Sequence, residues 1–281
     1  MKNLTFSFIL LLAFLSSAKA QKITLKQFWE SDTTVRTPES VIVDPKTNLL
    51  YISCINGQPS LENNNSFIAQ MDENGKVLKL KFTEGLNSTK GMGIHGDKLY
   101  ITEMTNVVEI SLSTGEILKR YPIAGAKFLN DIAVDHRTGV VYISDSGTAE
   151  IWSLKSGTLS LLTKGEPLSG GLNGLLVENN QLLIGNGDGT LYSYNPASKK
   201  FSKIAKVSGG IDGIVALGGK KYIVSEWGGK VWGIAANGTT ELLIDTTKDK
   251  INSADIDYNA KTKVLYIPTF FHNTVRAYSV R

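Results

Sequence analysis

Six times along the chain the same unit returns: a polar residue, a short apolar run, a turn, and a second run that usually carries Tyr-Ile. The units open at Glu39, Lys90, Asn130, Asn173, Asp212 and Ser253, spaced 51, 40, 43, 39 and 41 residues apart. Their second runs are Tyr51-Ile52-Ser53, Tyr100-Ile101-Thr102, Tyr142-Ile143-Ser144, Leu183-Ile184-Gly185, Tyr222-Ile223-Val224 and Tyr266-Ile267-Pro268. A period of roughly 40–45 residues is that of a four-stranded propeller blade. Two more strand-like runs complete a unit, as Glu150-Ile151-Trp152-Ser153-Leu154 and Leu159-Ser160-Leu161-Leu162 do in the third. No amphipathic helix of useful length interrupts them. A two-sheet sandwich would not generate six near-equal copies. The expectation is an all-β chain: one six-bladed β-propeller domain over residues 21–281, with four-stranded antiparallel blades. Such a ring must close. Ile23-Thr24-Leu25-Lys26-Gln27-Phe28 alternates like a strand and is expected to complete the last blade beside Thr274–Ser279.

The first 20 residues stand outside this pattern. A basic start (Met1-Lys2-Asn3), an apolar core from Leu4 to Leu15 and the small-residue site Ala18-Lys19-Ala20 read as a cleaved signal peptide. That core is shorter than the roughly 20 residues a bilayer span needs. The mature chain would begin at Gln21 and be secreted or periplasmic, without a membrane anchor. Charge excludes a nucleic-acid partner: 30 basic and 26 acidic residues are nearly balanced and form no basic patch. The single Cys54 excludes an intramolecular disulfide or a cysteine zinc cluster, and three His leave little for an imidazole metal site.

In a propeller the innermost strand of each blade lines a central channel, and the residue before it sits at one mouth. The repeat therefore gathers Glu39, Lys90, Asn130, Asn173, Asp212 and Ser253 around one axis. Carboxylates and carboxamides are hard oxygen donors. They suit calcium, or magnesium or manganese, better than zinc or copper. Lys90 does not ligate a cation. The bland explanation is turn chemistry, since Asn173-Gly174 and Asp212-Gly213 are common turn pairs. It does not account for Glu39, which holds the same place without being a turn former.

Several of these segments resemble one family. Ile211-Asp212-Gly213-Ile214-Val215, running on through Glu226-Trp227-Gly228-Gly229-Lys230-Val231, is similar to its Asp-Gly blade and following Gly-Gly-x-Val turn. Leu172-Asn173-Gly174-Leu175, Leu129-Asn130-Asp131 and Pro38-Glu39 resemble its Asn-Gly-Leu, Asn-Asp and opening Glu motifs. The family is that of the calcium-dependent six-bladed propellers, including gluconolactonases, senescence marker protein (regucalcin), luciferin-regenerating enzyme and drug-responsive lactonases. The resemblance spans essentially the whole of residues 21–281. It implies a metal held by Glu39, Asn173 and Asp212, with Asn130 nearby. One departure bears on substrate: the sugar-lactonase branch has Arg two residues before the Asn of the Asn-Asp motif, where this chain has Phe128.

If the chain is an enzyme, the resemblance implies hydrolysis of a lactone or related cyclic ester, a small-molecule substrate. Asp212 would take a proton from water and Asn130 would orient the substrate. Loops after each second strand open on the same face. They offer Asn56, Asn106, Asp145, Asn186, Glu226, Trp227, His272 and Asn273 as candidate wall residues, with His272 the best placed histidine for proton transfer. The segment Asn56 to Ser66 is either a solvated insertion or a lid. No Gly-x-Ser-x-Gly elbow supports a serine hydrolase. The Gly185–Gly189 stretch runs from strand to strand and is a hairpin, not a nucleotide cradle. The alternative function is a non-catalytic secreted propeller that binds a peptide, glycan or small molecule.

Overall fold

The computed structural model describes residues 22–281, so the segment read as a signal peptide lies outside the described residues. Six four-stranded antiparallel sheets stand around one axis. From axis to rim, the first blade comprises Pro38–Val43, Leu50–Cys54, Ser66–Met71 and Val77–Leu86. The second comprises Met92–His95, Lys98–Thr102, Asn106–Ser111 and Ile117–Pro122. The third comprises Leu129–Asp135, Val140–Asp145, Glu150–Lys155 and Thr158–Lys164, and the fourth Leu175–Glu178, Gln181–Gly185, Thr190–Asn195 and Lys200–Lys206. The fifth comprises Ile211–Gly218, Lys221–Glu226, Lys230–Ile234 and Thr240–Asp245. The sixth comprises Asp257–Asn259, Val264–Pro268 and Val275–Val280, and Leu25–Glu30 is its outermost strand.

The sheets pack face to face, and this sets the hydrophobic pattern. A second strand has a neighbouring blade on both sides, so Leu50–Cys54 and Val264–Pro268 are buried at every position. Outermost strands meet a neighbour on one side only, and Val77–Leu86 is largely exposed. Each apolar cluster is shared between two successive blades. One joins Ile52 and Phe67 to Tyr266 and Ala277 across the first and sixth blades, and another joins Leu183 and Leu191 to Ile214 and Val224 across the fourth and fifth. Cys54 is enclosed in the first of these, and burial pushes its thiol pKa up. The core is therefore a ring of interblade seams, not one central mass.

Closure follows the expected route. Leu25–Glu30 pairs antiparallel with Val275–Val280, from Leu25 opposite Val280 to Glu30 opposite Arg276. Trp29 packs on Tyr266 at 5.8 Å and donates from Nε1 to the Glu73 carbonyl at 3.0 Å, which pins the closing strand to the first blade.

Candidate functional site

Simple strand alternation would not aim the mouth residues at the axis. The ladder breaks where they sit. Pairing of the first two strands shifts register between Pro38 and Ser40 in the first blade, Leu129 and Ile132 in the third, and Ile211 and Ile214 in the fifth. Glu39, Asn130 and Asp212 fall in those irregularities, and a bulge re-aims a side chain out of the pleat. In the fourth blade Asn173 precedes its strand, with its N–H donated to the Gly185 carbonyl.

The glycines that follow are not turn glycines. Neither Gly174 nor Gly213 takes a left-handed backbone. A Cβ on Gly174 would lie 2.4 Å from the Asp212 carbonyl oxygen, and one on Gly213 would lie 2.4 Å from the Ile256 nitrogen. They are close-approach positions that let adjoining blades converge at the mouth. Hydroxyls tie the same layer: Ser225 accepts from the Gly213 N–H at 2.9 Å and donates to the Ala254 carbonyl at 2.7 Å.

Asn173 Nδ2 donates to Asp212 Oδ1 at 2.5 Å. Glu39 stands close enough for the Asp212 charge to act on it. Asn130 donates from Nδ2 to Ser146 Oγ at 3.0 Å, and Ser146 passes the contact to the Leu172 carbonyl beside Asn173. Glu39 Oε2, Asn130 Oδ1 and Asn173 Oδ1 are buried with no hydrogen-bond partner among the described residues. Unpaired buried oxygens are costly, and native structures rarely keep them without an unseen partner. The oxygen character of this set fits a hard divalent cation such as calcium. Among the described residues no three of His, Cys, Asp and Glu form a ligand cluster, so any cation here would lean on the carboxamides as well.

Burial dominates the electrostatics. It raises the Glu39 carboxyl well above the usual range, and the charges of Asp212 and Asp255 add to it while Lys90 opposes. Burial pushes Asp212 up to about 7 against the Asn173 hydrogen bond. Two further carboxyls, Asp131 and Asp255, share this layer and are raised by burial. Asp131 accepts from the Leu175 N–H at 2.6 Å and Asp255 from Ser40 Oγ at 2.6 Å, so both also stitch blades together. The repeat gave them no special place; adjacency to Asn130 was the one available sign for Asp131.

Lys90 turns aside. Its ammonium donates to the Ser88 carbonyl at 2.8 Å and lies 4.3 Å above the Phe128 ring. Burial pushes its pKa down to about 8, against the pull of Glu39, Glu103 and Glu62. Glu62 belongs to the Asn56–Ser66 segment. That segment is clasped by mutual Asn56 and Asn65 amide bonds of 3.0 Å, and Asn64 accepts from Asn87 at 3.1 Å. It leans toward the Lys90 side of the mouth.

The wall candidates divide. Asn186 gives its amide to Pro167 and Asp188 and accepts from the Ser169 N–H at 3.0 Å. Glu226 accepts from Ser208 Oγ, the Gly209 N–H and Trp232 Nε1, each at 2.8 Å in its nearest contact. Asp145 likewise accepts from the Lys127 and Phe128 N–H groups. These three clamp the loop entering their own blade. His272 points to the rim: its Nε2 lies 3.4 Å from Glu30 Oε1 at the end of the outermost strand. Trp227 is 45% exposed and packs edge-on against Phe270 and Phe271.

Below the mouth the channel encloses about 440 Å³. It is lined by Val41, Ile94, Ile132, Leu175, Ile214 and Ile256 together with Asp131, Asp255 and Asp257, and it reaches His136 and Lys261.

Neither a protein-family model nor a curated protein sequence matches the chain. Solved structures do. A virginiamycin B lyase from Staphylococcus aureus, a catalytically inactive variant with quinupristin, is similar with a TM-score of 0.65 at 13% identity, over 92% of this chain and 99% of that one. A gluconolactonase from Xanthomonas campestris is similar with a TM-score of 0.66 at 16% identity, over 88% of each chain. A chain of a nidogen/laminin complex is similar with a TM-score of 0.63 at 16% identity, over 76% of this chain and 86% of that one. At these identities the likeness is one of fold, and the fold is the six-bladed propeller.

Proposed function

We propose that the chain is an exported, metal-dependent hydrolase of a lactone or related cyclic ester, working at the channel mouth. One observation carries this reading: Glu39, Asn130 and Asn173, from three blades, each leave a buried oxygen without a partner among the described residues, at the mouth where Asp212 sits. Oxygens of this kind suit a hard cation. Glu39, Asn173 and Asp212 would hold the cation, calcium foremost, and when bound it would polarise the ester carbonyl.

The chain's own groups account for the proton. Asp212 is anchored through Oδ1 by Asn173, and a carboxylate held beside the ester is the group of this chain suited to act as a base. It takes a proton from water as the water oxygen bonds to the carbonyl carbon. The ring C–O bond then breaks, and the proton passes to the leaving alkoxide, giving a hydroxy acid. Asn130, tethered by Ser146, orients the ester beside it. The likeness of fold to a gluconolactonase supports the reading, although Phe128 stands where the sugar-lactonase branch has Arg, with the Lys90 ammonium 4.3 Å above its ring.

The test is a lactone panel on the purified chain, with and without chelator. Turnover that chelator abolishes and calcium restores is expected, and Asp212→Ala is expected to lose both turnover and bound metal. Absence of calcium-reversible turnover on every lactone would favour the non-catalytic binding propeller.

A further inference from the structure

We infer that Trp227 and Phe271 form an apolar ledge beside the mouth, and that the cyclic ester taken there carries an aryl or alkyl substituent, not a ring of hydroxyls. This rests on the hydrolase reading above. Most large exposed apolar side chains lie on outermost strands, as Phe28, Leu80 and Leu242 do. Trp227, 45% exposed in a loop, and Phe271, 49% exposed in the 3-10 turn Phe270–His272, instead lie together on the mouth face.

The ledge adjoins the candidate centre. Glu226, the residue before Trp227, pairs with Ile211, the residue before Asp212. The Trp227 carbonyl accepts from Asn252 Nδ2 at 3.0 Å and from the Ser253 N–H at 3.4 Å. Phe270 anchors it in a small core with Ile55 and Ala254. The rings are fixed edge to face: Trp227 to Phe270 at 5.3 Å and 81°, Phe270 to Phe271 at 4.7 Å and 90°. Phe270 holds a left-handed φ of 48°, which a bulky residue keeps only where its surroundings impose it. The Asn273 N–H donates to the Phe270 carbonyl at 3.0 Å, and Asn273 Oδ1 accepts from the Thr37 N–H at 2.8 Å. An ordered aromatic surface left open beside a site is a place for apolar substrate atoms.

Three polar side chains on this face are already committed. Glu226 and Asn186 are committed to loop N–H groups, and Asn252 to the Trp227 carbonyl. A polyhydroxylated ring would lose water here and meet few partners, which penalises it.

The experiment compares γ-phenyl-γ-butyrolactone, γ-butyrolactone and D-glucono-δ-lactone on the wild-type chain, Trp227→Ala, Phe271→Ala and Trp227→Phe, with calcium present. Wild type is expected to favour the phenyl lactone in kcat/KM. In each Ala variant the ratio of phenyl to unsubstituted lactone is expected to fall about tenfold, through KM, and Trp227→Phe is expected to restore most of it. An unchanged ratio, or a preference for the sugar lactone, overturns the ledge. If no lactone is turned over, the hydrolase reading fails by itself. The ledge is then judged by quenching of Trp fluorescence by the phenyl lactone: a quench lost in Trp227→Phe sustains it, and no such quench removes it.

Discussion

Glu39 shows what the mouth costs the protein when no cation balances it. Its carboxyl is raised by burial and by Asp212 and Asp255, so the folded state without metal holds a proton more tightly than the unfolded chain does. A raised acid burdens the fold above the unfolded pKa of about 4.3 and not below it. Glu39→Gln should therefore stabilise chelator-treated protein at pH 8 by about 1–3 kcal/mol, with the gain fading near pH 4, while calcium affinity falls. Thermal melts across pH, with and without calcium, check both signs. Gly213→Ala should do the opposite: its Cβ would meet the Ile256 nitrogen at 2.4 Å, and melting should fall with or without metal. That Glu39, Asn130, Asn173 and Asp212 share one end of the ring was legible in the sequence because they recur at one phase of the repeat. The role of Gly174 and Gly213 was not, since Asn-Gly and Asp-Gly read locally as turns. Only the packing of one blade on the next shows them as contact points.

At the level of strands, register breaks do the aiming. A one-residue irregularity leaves no trace in a hydrophobic pattern, so the bulges at Glu39, Asn130 and Asp212 could not be read beforehand. The clamps were also hidden. Asn186, Glu226 and Asp145 stand at matching positions, at or just past the end of each second strand, and sequence cannot tell whether such a side chain faces ligand or its own backbone. Within the second blade, Glu109 joins three strands by accepting from Tyr121 at 2.9 Å and pairing with Lys98 at 2.7 Å. Burial would raise its carboxyl, but the hydrogen bonds from Lys98 and Tyr121 prevail and lower it. A depressed acid stabilises above its unfolded pKa and loses that contribution as pH falls through the folded value. Glu109→Gln should cost about 1–2 kcal/mol at pH 7 and little in acid below both pKa values, measured by urea melts at the two pH values.

For the whole molecule the decisive element is the closing strand. The sixth blade is complete only when Leu25–Glu30 lies on Val275–Val280, and the seam was readable because an alternating segment was left over before the first repeat. Deleting residues 22–30 should expose that edge, lower the melting temperature and drive association, seen as higher-mass species in light scattering. An unchanged monomer with unchanged melting would show that the ring does not need its clasp. Closure also holds the first and sixth blades together, and so keeps Glu39 facing Asp255 across that junction.

The central claim is that oxygens from distant blades hold one hard cation at the mouth. Calorimetric titration of calcium into chelator-stripped protein tests it most directly. One ion per chain is predicted for the wild type, with binding lost in Asp212→Ala and in Asn173→Ala while both variants keep the wild-type β-sheet spectrum. No calcium uptake by the wild type, or an undiminished single site in both variants, would contradict it.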